Sequence, residues 1–373
     1  MKILYDENMP FAKEFFSDFG QLIPFSGREL TAEQISDADV LLVRSITTVN
    51  KNLLRLNDKL VFVGTATIGV DHIDQPYLRD RDIAFTSAPG CNAISVAEYV
   101  LSALVVLAER QVFNLLDKTV GIVGAGNTGS RLSEKLTALG IKHLLCDPFL
   151  AQTNDQRDFV SLEQALACDV ISLHVPLTYE GKFPTYHLLD NLMLSSLNDQ
   201  QILINACRGE VIDNHALLTL KQQGRKTTLV LDVWENEPSI LHELIEYTDI
   251  ATAHIAGYSL EGKARGSEML YLALCRELKI LPEKQLNQFL PIPLINSVEI
   301  KADFSDILLN QLVKMVYDVR RDDALFRQQL PCQGFDHIRK TYPARREFSA
   351  ITVILSNSAN ADVLHLLGFN NKT

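Results

Sequence analysis

A strand–turn–helix pattern built on three glycines constrains the fold of this chain more than any other feature. A short apolar run ends in Gly124, Gly126 and Gly129, spaced G-x-G-x-x-G, and a helix-like segment, 130–139, follows. Gly124 permits a tight turn, Gly126 lets a pyrophosphate approach the backbone, and Gly129 lets the helix pack close to the strand. The helix N-terminus offers N–H groups and a positive dipole end to phosphates. The pattern predicts a dinucleotide site; the alternative is a glycine-rich turn in another α/β unit.

An acidic residue closes the second strand of the same unit. The apolar run 141–146 is followed by Asp147, roughly 20 residues after the last glycine of the motif. A carboxylate at this place accepts hydrogen bonds from both ribose hydroxyls and repels a 2′-phosphate, so NAD is favoured over NADP. Asn127 and Thr128, which lie between the glycines, belong to the same set of expected cofactor-binding residues.

Composition restricts the class of protein. With 373 residues, 47% of them hydrophobic and 22% charged, the chain is expected to form two or three globular domains. A net charge of −11 argues against nucleic acid or an anionic membrane as a partner. The first residues have no signal-peptide core, and the most apolar run, 99–108, is too short to span a bilayer. We therefore expect a cytoplasmic protein.

The cysteines predict neither a disulfide framework nor a metal centre. The six of them form no C-x-x-C pair and no Cys/His cluster with zinc spacing. We expect reduced, buried thiols that act as small hydrophobic side chains, and no metal site.

Short apolar runs alternate with helix-like segments on both sides of the glycine motif. Runs of this kind are typical of parallel strands that are covered on both faces. The predicted strands before the motif are 2–5, 40–43, 60–63 and 83–86, and those after it are 170–173, 201–205, 228–231 and 250–253. Long helices are predicted at 95–111 and 259–281. The pattern indicates an α/β protein with two Rossmann-like, doubly wound parallel sheets.

The region that follows a group of prolines near 282–293 departs from this alternation. It contains an amphipathic helix near 306–325, a turn at 331–334, a basic segment at 339–346 and a β-rich stretch at 350–355. We predict three domains: a substrate domain of 1–92 and 257–285, an NAD-binding domain of 93–256, and a smaller α+β domain of 286–373.

Three chemically distinct side chains follow successive predicted strands of the NAD-binding domain. They are Arg208, Glu237 and His254. Oxidation of a hydroxyl group beside a carboxylate needs a cation for the carboxylate, a base for the hydroxyl proton and an acid residue that orients the base. Arginine, histidine and glutamate supply these functions in that order. Each residue alone has an ordinary alternative in a turn, a loop or a surface site, so the prediction depends on all three together.

Further polar residues follow predicted strands of the first domain. Arg44 and Ser45 come after the strand 40–43, and Thr67 comes after the strand 60–63. Ligands of open α/β sheets lie beyond the carboxyl ends of the strands. We therefore predict substrate contacts here; the alternative is turn chemistry at the strand ends.

Longer motifs resemble the D-isomer-specific 2-hydroxyacid dehydrogenases over about residues 1–285. The matching motifs are the glycine run with Asp147, His-Val-Pro at 174–176, Asn-Ala-Cys-Arg-Gly-Glu at 205–210, Asp-Val-Trp-Glu-Asn-Glu-Pro at 232–238 and His-Ile-Ala-Gly at 254–257. The resemblance implies that Arg208, Glu237 and His254 are catalytic. It also implies that the cofactor touches Val175, Ala206, Cys207, Arg208, Asp232 and Gly257, with Asp232 at the nicotinamide amide.

Other motifs resemble members of this family whose substrate carries a carboxylate and a phosphate. They lie at 43–47, 64–69, 89–93 and 254–263, and the additional region 286–373 fits the same members. The resemblance implies that Ser45, Thr67 and Tyr258 touch the substrate and that the C-terminal domain forms a homodimer. Arg44 together with Ser45 could approach the phosphate.

Three questions stay open at this level. One hypothesis is that Arg345 or Arg346 of the basic segment reaches the substrate phosphate, and the alternative is a solvated or interfacial ion-pair surface. A second possible activity is that of a D-3-phosphoglycerate dehydrogenase or another D-2-hydroxyacid dehydrogenase. A third possibility is a non-catalytic, NAD-sensing protein of the corepressor kind, since such proteins can retain the same three catalytic residues.

Overall fold

Two compact units make up the chain in the computed structural model, which describes residues 1–301, 305–355 and 361–372. The first unit consists of residues 1–92 and 259–292, and the second consists of residues 93–258 and 293–373. The chain therefore leaves the first unit after residue 92, builds most of the second, returns at residue 259, and leaves again after residue 292 to form the C-terminal region. Residues 286–373 as a separate third domain stay a prediction.

The first unit contains a five-stranded parallel sheet with the strand order β2-β1-β3-β4-β5. The strands are β1 (Lys2–Asp6), β2 (Gln21–Phe25), β3 (Val40–Val43), β4 (Phe62–Thr65) and β5 (Ala84–Thr86), and the helices are α1 (Ala12–Phe16), α2 (Ala32–Ile35) and α3 (Gln75–Asp80). All four residues of β3 are buried, as the uninterrupted apolar run predicts.

Strand β2 was not predicted from the sequence. It pairs in parallel with β1 at the edge of the sheet, and most of its residues are partly or fully exposed. Pro24 also interrupts the pattern, and proline is tolerated in a strand at an edge. An edge strand of this kind lacks the buried apolar run by which the central strands were found.

The second unit contains a six-stranded parallel sheet with the order β11-β10-β9-β8-β6-β7. In chain order its elements are α4 (Ala93–Gln111), β6 (Val120–Val123), α5 (Asn127–Ala138), β7 (His143–Cys146), α6 (Leu162–Leu166), β8 (Val170–Leu173), α7 (Asn191–Ser196), β9 (Ile202–Asn205), α8 (Asn214–Gln222), β10 (Thr228–Leu231), α9 (His242–Ile245) and β11 (Ile250–Ala251). Strand order reverses beside β6, which is where dinucleotides bind in this topology. The predicted α/β class is confirmed.

The later elements divide between the two units. Helix α10 (Leu260–Glu277) lies in the first unit, and its Leu270 and Leu274 join the core beneath β3. The C-terminal elements are β12 (Ser297–Ile300), α11 (Asp306–Val316), α12 (Val319–Gln333), α13 (Phe335–Lys340), β13 (Thr352–Leu355), α14 (Ala361–Leu367) and β14 (Asn370–Lys372). Strands β12, β13 and β14 form a small parallel sheet.

Three local predictions for the C-terminal region and the cysteines were wrong. The helix expected at 306–325 is two helices, because Tyr317 is extended and the Asp318 side chain accepts a hydrogen bond at the start of α12. The turn expected at 331–334 begins later, since Pro331 lies inside α12 and Gly334, with φ of 76°, ends it. Cys332 is exposed, whereas the other cysteines are buried as expected.

Helix α4 connects the sheet of the second unit to the C-terminal region. Its apolar residues share one core with Tyr317, Phe348 and Phe369. Within the described residues, no helix is both long and apolar enough to cross a membrane.

The fully buried Glu98 of α4 lies 3.4 Å from Lys135 Nζ and accepts the backbone N–H of Phe348. Burial raises the pKa of the Glu98 carboxyl to about 8, even though Lys135 opposes this shift.

This buried carboxyl predicts a pH dependence of stability. Because the folded-state pKa of Glu98 exceeds the ordinary carboxyl value, the folded state binds more protons between about pH 5 and 8. Its contribution to the free energy of unfolding therefore falls as pH rises, by at most about 1.4 kcal/mol per pH unit. In Glu98→Gln, the free energy of unfolding should decrease less with rising pH than in the wild type. Urea unfolding at pH 5, 6.5 and 8 measures this difference. The exposed Glu134→Gln is the control, and equal pH profiles for wild type and Glu98→Gln would contradict the assignment.

Candidate active site

The glycine turn has the geometry that the motif predicts. Gly124 has φ of +94°, and a Cβ atom on it would lie 2.6 Å from the backbone of His174. A Cβ atom on Gly129 would lie 2.0 Å from Gly124 O, so α5 packs directly against the turn. Nothing lies within 4 Å of a Cβ atom placed on Gly126, which leaves open space above the start of α5. A side chain is thus excluded at two of these positions by backbone atoms.

Asp147 connects the end of β7 to this turn. Its Oδ2 atom accepts the backbone N–H of Ala125 at 3.0 Å, and its Oδ1 atom accepts those of Phe149 and Leu150. A carboxylate has about four acceptor sites, so these three bonds leave one site, on Oδ2, for a ribose hydroxyl. The turn, the first N–H groups of α5 and this carboxylate fit a dinucleotide.

The three predicted catalytic residues follow three neighbouring strands. Arg208 follows β9, Glu237 follows β10 and His254 follows β11, and these strands are adjacent and parallel. Their carboxyl ends therefore meet at one edge of the sheet. Arg208 Nη1 donates to Cys207 O at 2.7 Å, and the planar guanidinium carries four further N–H donors. A Cβ atom on Gly209 would lie 1.9 Å from the Trp234 backbone, so the loops after β9 and β10 touch.

Glu237 and His254 form the hydrogen bond that acid–base chemistry requires. His254 Nδ1 lies 2.8 Å from Glu237 Oε2, while Glu237 Oε1 accepts the N–H of Trp234 at 3.0 Å. Because an ionised carboxylate only accepts hydrogen bonds, we assign the proton to Nδ1 of the neutral ring. His254 Nε2 is then the atom that can accept a proton from a substrate.

The backbone around His254 is held by Asp232. His254 has φ of 56°, in the left-handed region, which costs a non-glycine residue about 1 kcal/mol. Its N–H donates to Asp232 O at 2.6 Å. The Asp232 carboxylate accepts hydrogen bonds from the Thr252 hydroxyl at 2.6 Å and from the N–H groups of Ile255 and Ala256 at 2.8 and 2.9 Å. Burial raises the pKa of Asp232, although His254 and these bonds oppose the shift.

Comparison with known proteins identifies the family. Residues 105–256 match the family model described as "D-isomer specific 2-hydroxyacid dehydrogenase, NAD binding domain". The erythronate-4-phosphate dehydrogenase of Colwellia psychrerythraea is 64% identical over 391 residues, which cover 99% of this chain and 100% of the relative. That of Proteus mirabilis is 50% identical, with 99% of both chains covered. The chain belongs to the D-isomer-specific 2-hydroxyacid dehydrogenases.

Solved structures and a second family model extend the comparison. The D-lactate dehydrogenase of Aquifex aeolicus, complexed with NAD and lactic acid, matches with a TM-score of 0.60 and 25% identity over 75% of this chain and 96% of that one. The NAD+-bound 3-phosphoglycerate dehydrogenase of Entamoeba histolytica gives 0.61 and 25% over 75% and 95%. Residues 289–368 match a "domain of unknown function (DUF3410)". The dehydrogenase thus carries an NAD-binding domain and an additional C-terminal region.

The remaining predicted cofactor residues lie along the same sheet edge of the dehydrogenase. Val175 follows β8, Ala206 and Cys207 follow β9, and Gly257 follows β11 by a few residues. Burial raises the pKa of the Cys207 thiol to about 11, and its Sγ donates to Asn205 Oδ1. Cys207 is therefore a neutral thiol near neutral pH. Contact of these residues with NAD stays a prediction.

The predicted substrate residues Arg44, Ser45 and Thr67 lie in the first unit of the dehydrogenase. They follow β3 and β4, as expected. The Thr67 hydroxyl donates to Gly69 O at 3.0 Å and lies 2.8 Å from the Thr65 hydroxyl. Ser45 is exposed and lines a cavity together with Arg28, a residue that the sequence analysis missed. Substrate contact by Arg44, Ser45 and Thr67 stays a prediction.

The hypothesis that Arg345 or Arg346 of the basic segment reaches the substrate phosphate is wrong for Arg345, and for Arg346 it stays a prediction. Arg345 cannot reach a substrate phosphate, because it is only 2% exposed and its Nη2 donates to Ser95 O and Ala256 O. Its guanidinium also lies over the Tyr317 ring, 3.8 Å from the ring centroid. Arg339 of the same segment was not singled out, yet its Nη2 donates to the Tyr258 hydroxyl at 3.2 Å.

The Asp232 network of the dehydrogenase gives a prediction about stability. Asp232→Asn replaces one acceptor oxygen by an NH2 group, so at least one of the three donors loses its partner. Loss of a buried hydrogen bond to a charged group should lower the free energy of unfolding by about 1.5–3 kcal/mol. Urea unfolding of Asp232→Asn and of the exposed control Asp158→Asn measures this effect. Equal stabilities of the two variants would show that the network does not support the loop.

Proposed function

We propose that the chain oxidises the C2 hydroxyl of 4-phospho-D-erythronate to (R)-3-hydroxy-2-oxo-4-phosphooxybutanoate, with NAD as oxidant, in the biosynthesis of pyridoxal phosphate (vitamin B6). The observation that carries this proposal is the 64% identity, over the full length of both chains, to an erythronate-4-phosphate dehydrogenase. Further relatives with the same name, at 50–55% identity, support it.

The catalytic residues suit this oxidation. NAD, when bound, accepts the hydride that leaves C2 of the substrate. His254 Nε2 takes the proton of the C2 hydroxyl, because Nδ1 is held by Glu237 Oε2 at 2.8 Å. Glu237 keeps the ring oriented and stabilises the imidazolium that results. Arg208 holds the substrate carboxylate with its planar set of N–H donors.

The binding residues follow from the same assignment. The backbone N–H groups near Gly126, Asn127 and Thr128 would hold the pyrophosphate of NAD, and Asp147 would accept a ribose hydroxyl. Val175, Ala206, Cys207, Asp232 and Gly257 would line the rest of the cofactor site. Arg44, Ser45, Thr67 and Tyr258 would contact the phosphorylated substrate.

We infer in addition a cytoplasmic homodimer that does not bind nucleic acid. The net charge of −11 supports the absence of a polyanionic partner. The C-terminal region exposes large apolar side chains that a subunit interface could cover: Leu294, Ile307 and Leu366.

The activity itself gives the first test. Purified protein with NAD should produce NADH from 4-phosphoerythronate, with a higher kcat/KM than for D-3-phosphoglycerate or D-glycerate. His254→Gln should lower kcat by at least about 100-fold, because the hydroxyl proton then has no acceptor, while NADH binding persists. Wild-type turnover by His254→Gln would refute the mechanism. Tight NADH binding without turnover of any of the three acids would instead favour an NAD-sensing protein.

The assembly gives a second test. Light scattering at micromolar concentration should give a mass of twice the 41.8 kDa of one chain. Ile307→Glu, which places a charge in the expected interface, should shift the mass toward that of the monomer. A single-chain mass for the wild-type protein would contradict the homodimer.

A further inference from the structure

Arg339 lies next to the catalytic residues although it belongs to the C-terminal region. It is on α13, and its Nη2 donates to the Tyr258 hydroxyl at 3.2 Å. Its Nη1 lies 3.9 Å from Glu237 Oε2, the same oxygen that faces His254 Nδ1. One guanidinium therefore faces both a predicted substrate residue and the carboxylate that orients the base.

The hydrogen bonding of the Arg339 guanidinium is incomplete. Its side chain is 26% exposed, and the guanidinium carbon lies 5.8 and 5.9 Å from the ring centroids of Tyr258 and Phe335. The Nε–H is buried and has no hydrogen-bond partner among the described residues. The distance to Glu237 is too long for a hydrogen bond. Burial acts to lower the pKa of Arg339, but Tyr258 and Glu237 outweigh it and raise that pKa, so the charge is stabilised. A buried donor without a partner is a feature that concentrates at functional sites.

The contact with Tyr258 has a defined polarity. A guanidinium can only donate hydrogen bonds, so the phenolic oxygen of Tyr258 must be the acceptor. The hydroxyl hydrogen is thereby directed to an acceptor other than Arg339. For a substrate with a carboxylate and a phosphate, a phenol that is polarised by a cation is a stronger donor than an isolated one.

The C-terminal region also contacts the segment 256–258, which contains Tyr258, at two other points. Arg345 Nη2 donates to Ala256 O at 3.1 Å. The Tyr342 ring meets the Tyr258 ring edge-on, with 6.0 Å between the centroids, and the Tyr342 hydroxyl donates to Asp322 at 2.6 Å. These contacts hold the backbone and ring of 256–258, and the hydrogen bond from Arg339 then determines the direction of the Tyr258 hydroxyl hydrogen.

We propose that Arg339 is a positioning residue of the active site, supplied by the C-terminal region, which orients the Tyr258 hydroxyl toward the anionic substrate. The proposal rests on the proposed function, since it takes the substrate to be a phosphorylated hydroxy acid. It gives the region that matches a domain of unknown function a role in catalysis within the same chain.

The first experiment compares Arg339→Met, Arg339→Lys and Lys340→Met. Lys340 is exposed on the same helix, so its replacement is a control for the loss of one positive charge. For 4-phosphoerythronate, kcat/KM of Arg339→Met should fall about 10- to 100-fold, mainly through KM, with unchanged NADH affinity and thermal midpoint. Arg339→Lys should recover part of the loss, and Lys340→Met should match the wild type. Wild-type kinetics of Arg339→Met would overturn the proposal.

A double-mutant cycle separates positioning from a general structural effect. If Arg339 acts through the Tyr258 hydroxyl, Arg339→Met should have much less effect on kcat/KM in a Tyr258→Phe background than in the wild type. Independent, multiplicative losses would overturn the proposed coupling even where both single variants are impaired.

A binding measurement distinguishes failure of this proposal from failure of the proposed function. The probe is 4-phosphoerythronate, titrated into the enzyme–NADH complex while NADH fluorescence is followed. Wild-type protein that binds the acid but does not oxidise it would contradict the function, and weaker binding by Arg339→Met would still support the role of Arg339. Equal binding by wild type and Arg339→Met would overturn that role even if both proteins are active. A wild-type chain that neither binds nor oxidises the acid would overturn both.

Discussion

The arrangement of the active-site edge depends on one buried carboxylate, that of Asp232. An unpaired carboxylate in this position would cost several kcal/mol, and His254 in a left-handed backbone conformation costs about 1 kcal/mol more. Hydrogen bonds offset both costs, because the turn at His254 points the N–H groups of Ile255 and Ala256 at the Asp232 oxygens. The same turn carries the His254 imidazole, whose Nδ1 lies 2.8 Å from Glu237 Oε2.

The parallel sheet explains why residues far apart in sequence act together. Strands β9, β10 and β11 are neighbours and point the same way, so each sends its next loop to the same edge. Gly209 lets the loop after β9 contact the Trp234 backbone, and Trp234 N–H in turn donates to Glu237. The loop that carries Arg208 and the loop that carries Glu237 are thus positioned by one another as well as by their strands.

Most of the fold could be predicted because the central strands are buried on both faces. Strands 40–43, 170–173 and 228–231 were found to the residue, since parallel packing demands an unbroken apolar run. The edge strand 21–25 lacks that signal, and the break at Tyr317 depends on the cap at Asp318 rather than on periodicity. The geometry of Arg208, Glu237 and His254 follows from strand ends. The contact of Arg339 with Tyr258 does not, because it joins residues 81 positions apart through the packing of α13.

Two arginines of the basic segment, Arg345 and Arg339, differ in their exposure to solvent and in their hydrogen-bond partners. Arg345 is 2% exposed and lies over the Tyr317 ring, with two backbone carbonyl oxygens as acceptors. Both acceptors are internal, so these bonds connect the C-terminal region to α4 and to the segment after β11, although Arg345 Nε and Nη1 have no hydrogen-bond partner among the described residues. Arg339 keeps part of its surface open, and its nearest anion, Glu237, lies beyond hydrogen-bond distance. Its hydrogen bond goes to the Tyr258 hydroxyl instead, and this is the contact through which we propose that Arg339 acts on the anionic substrate.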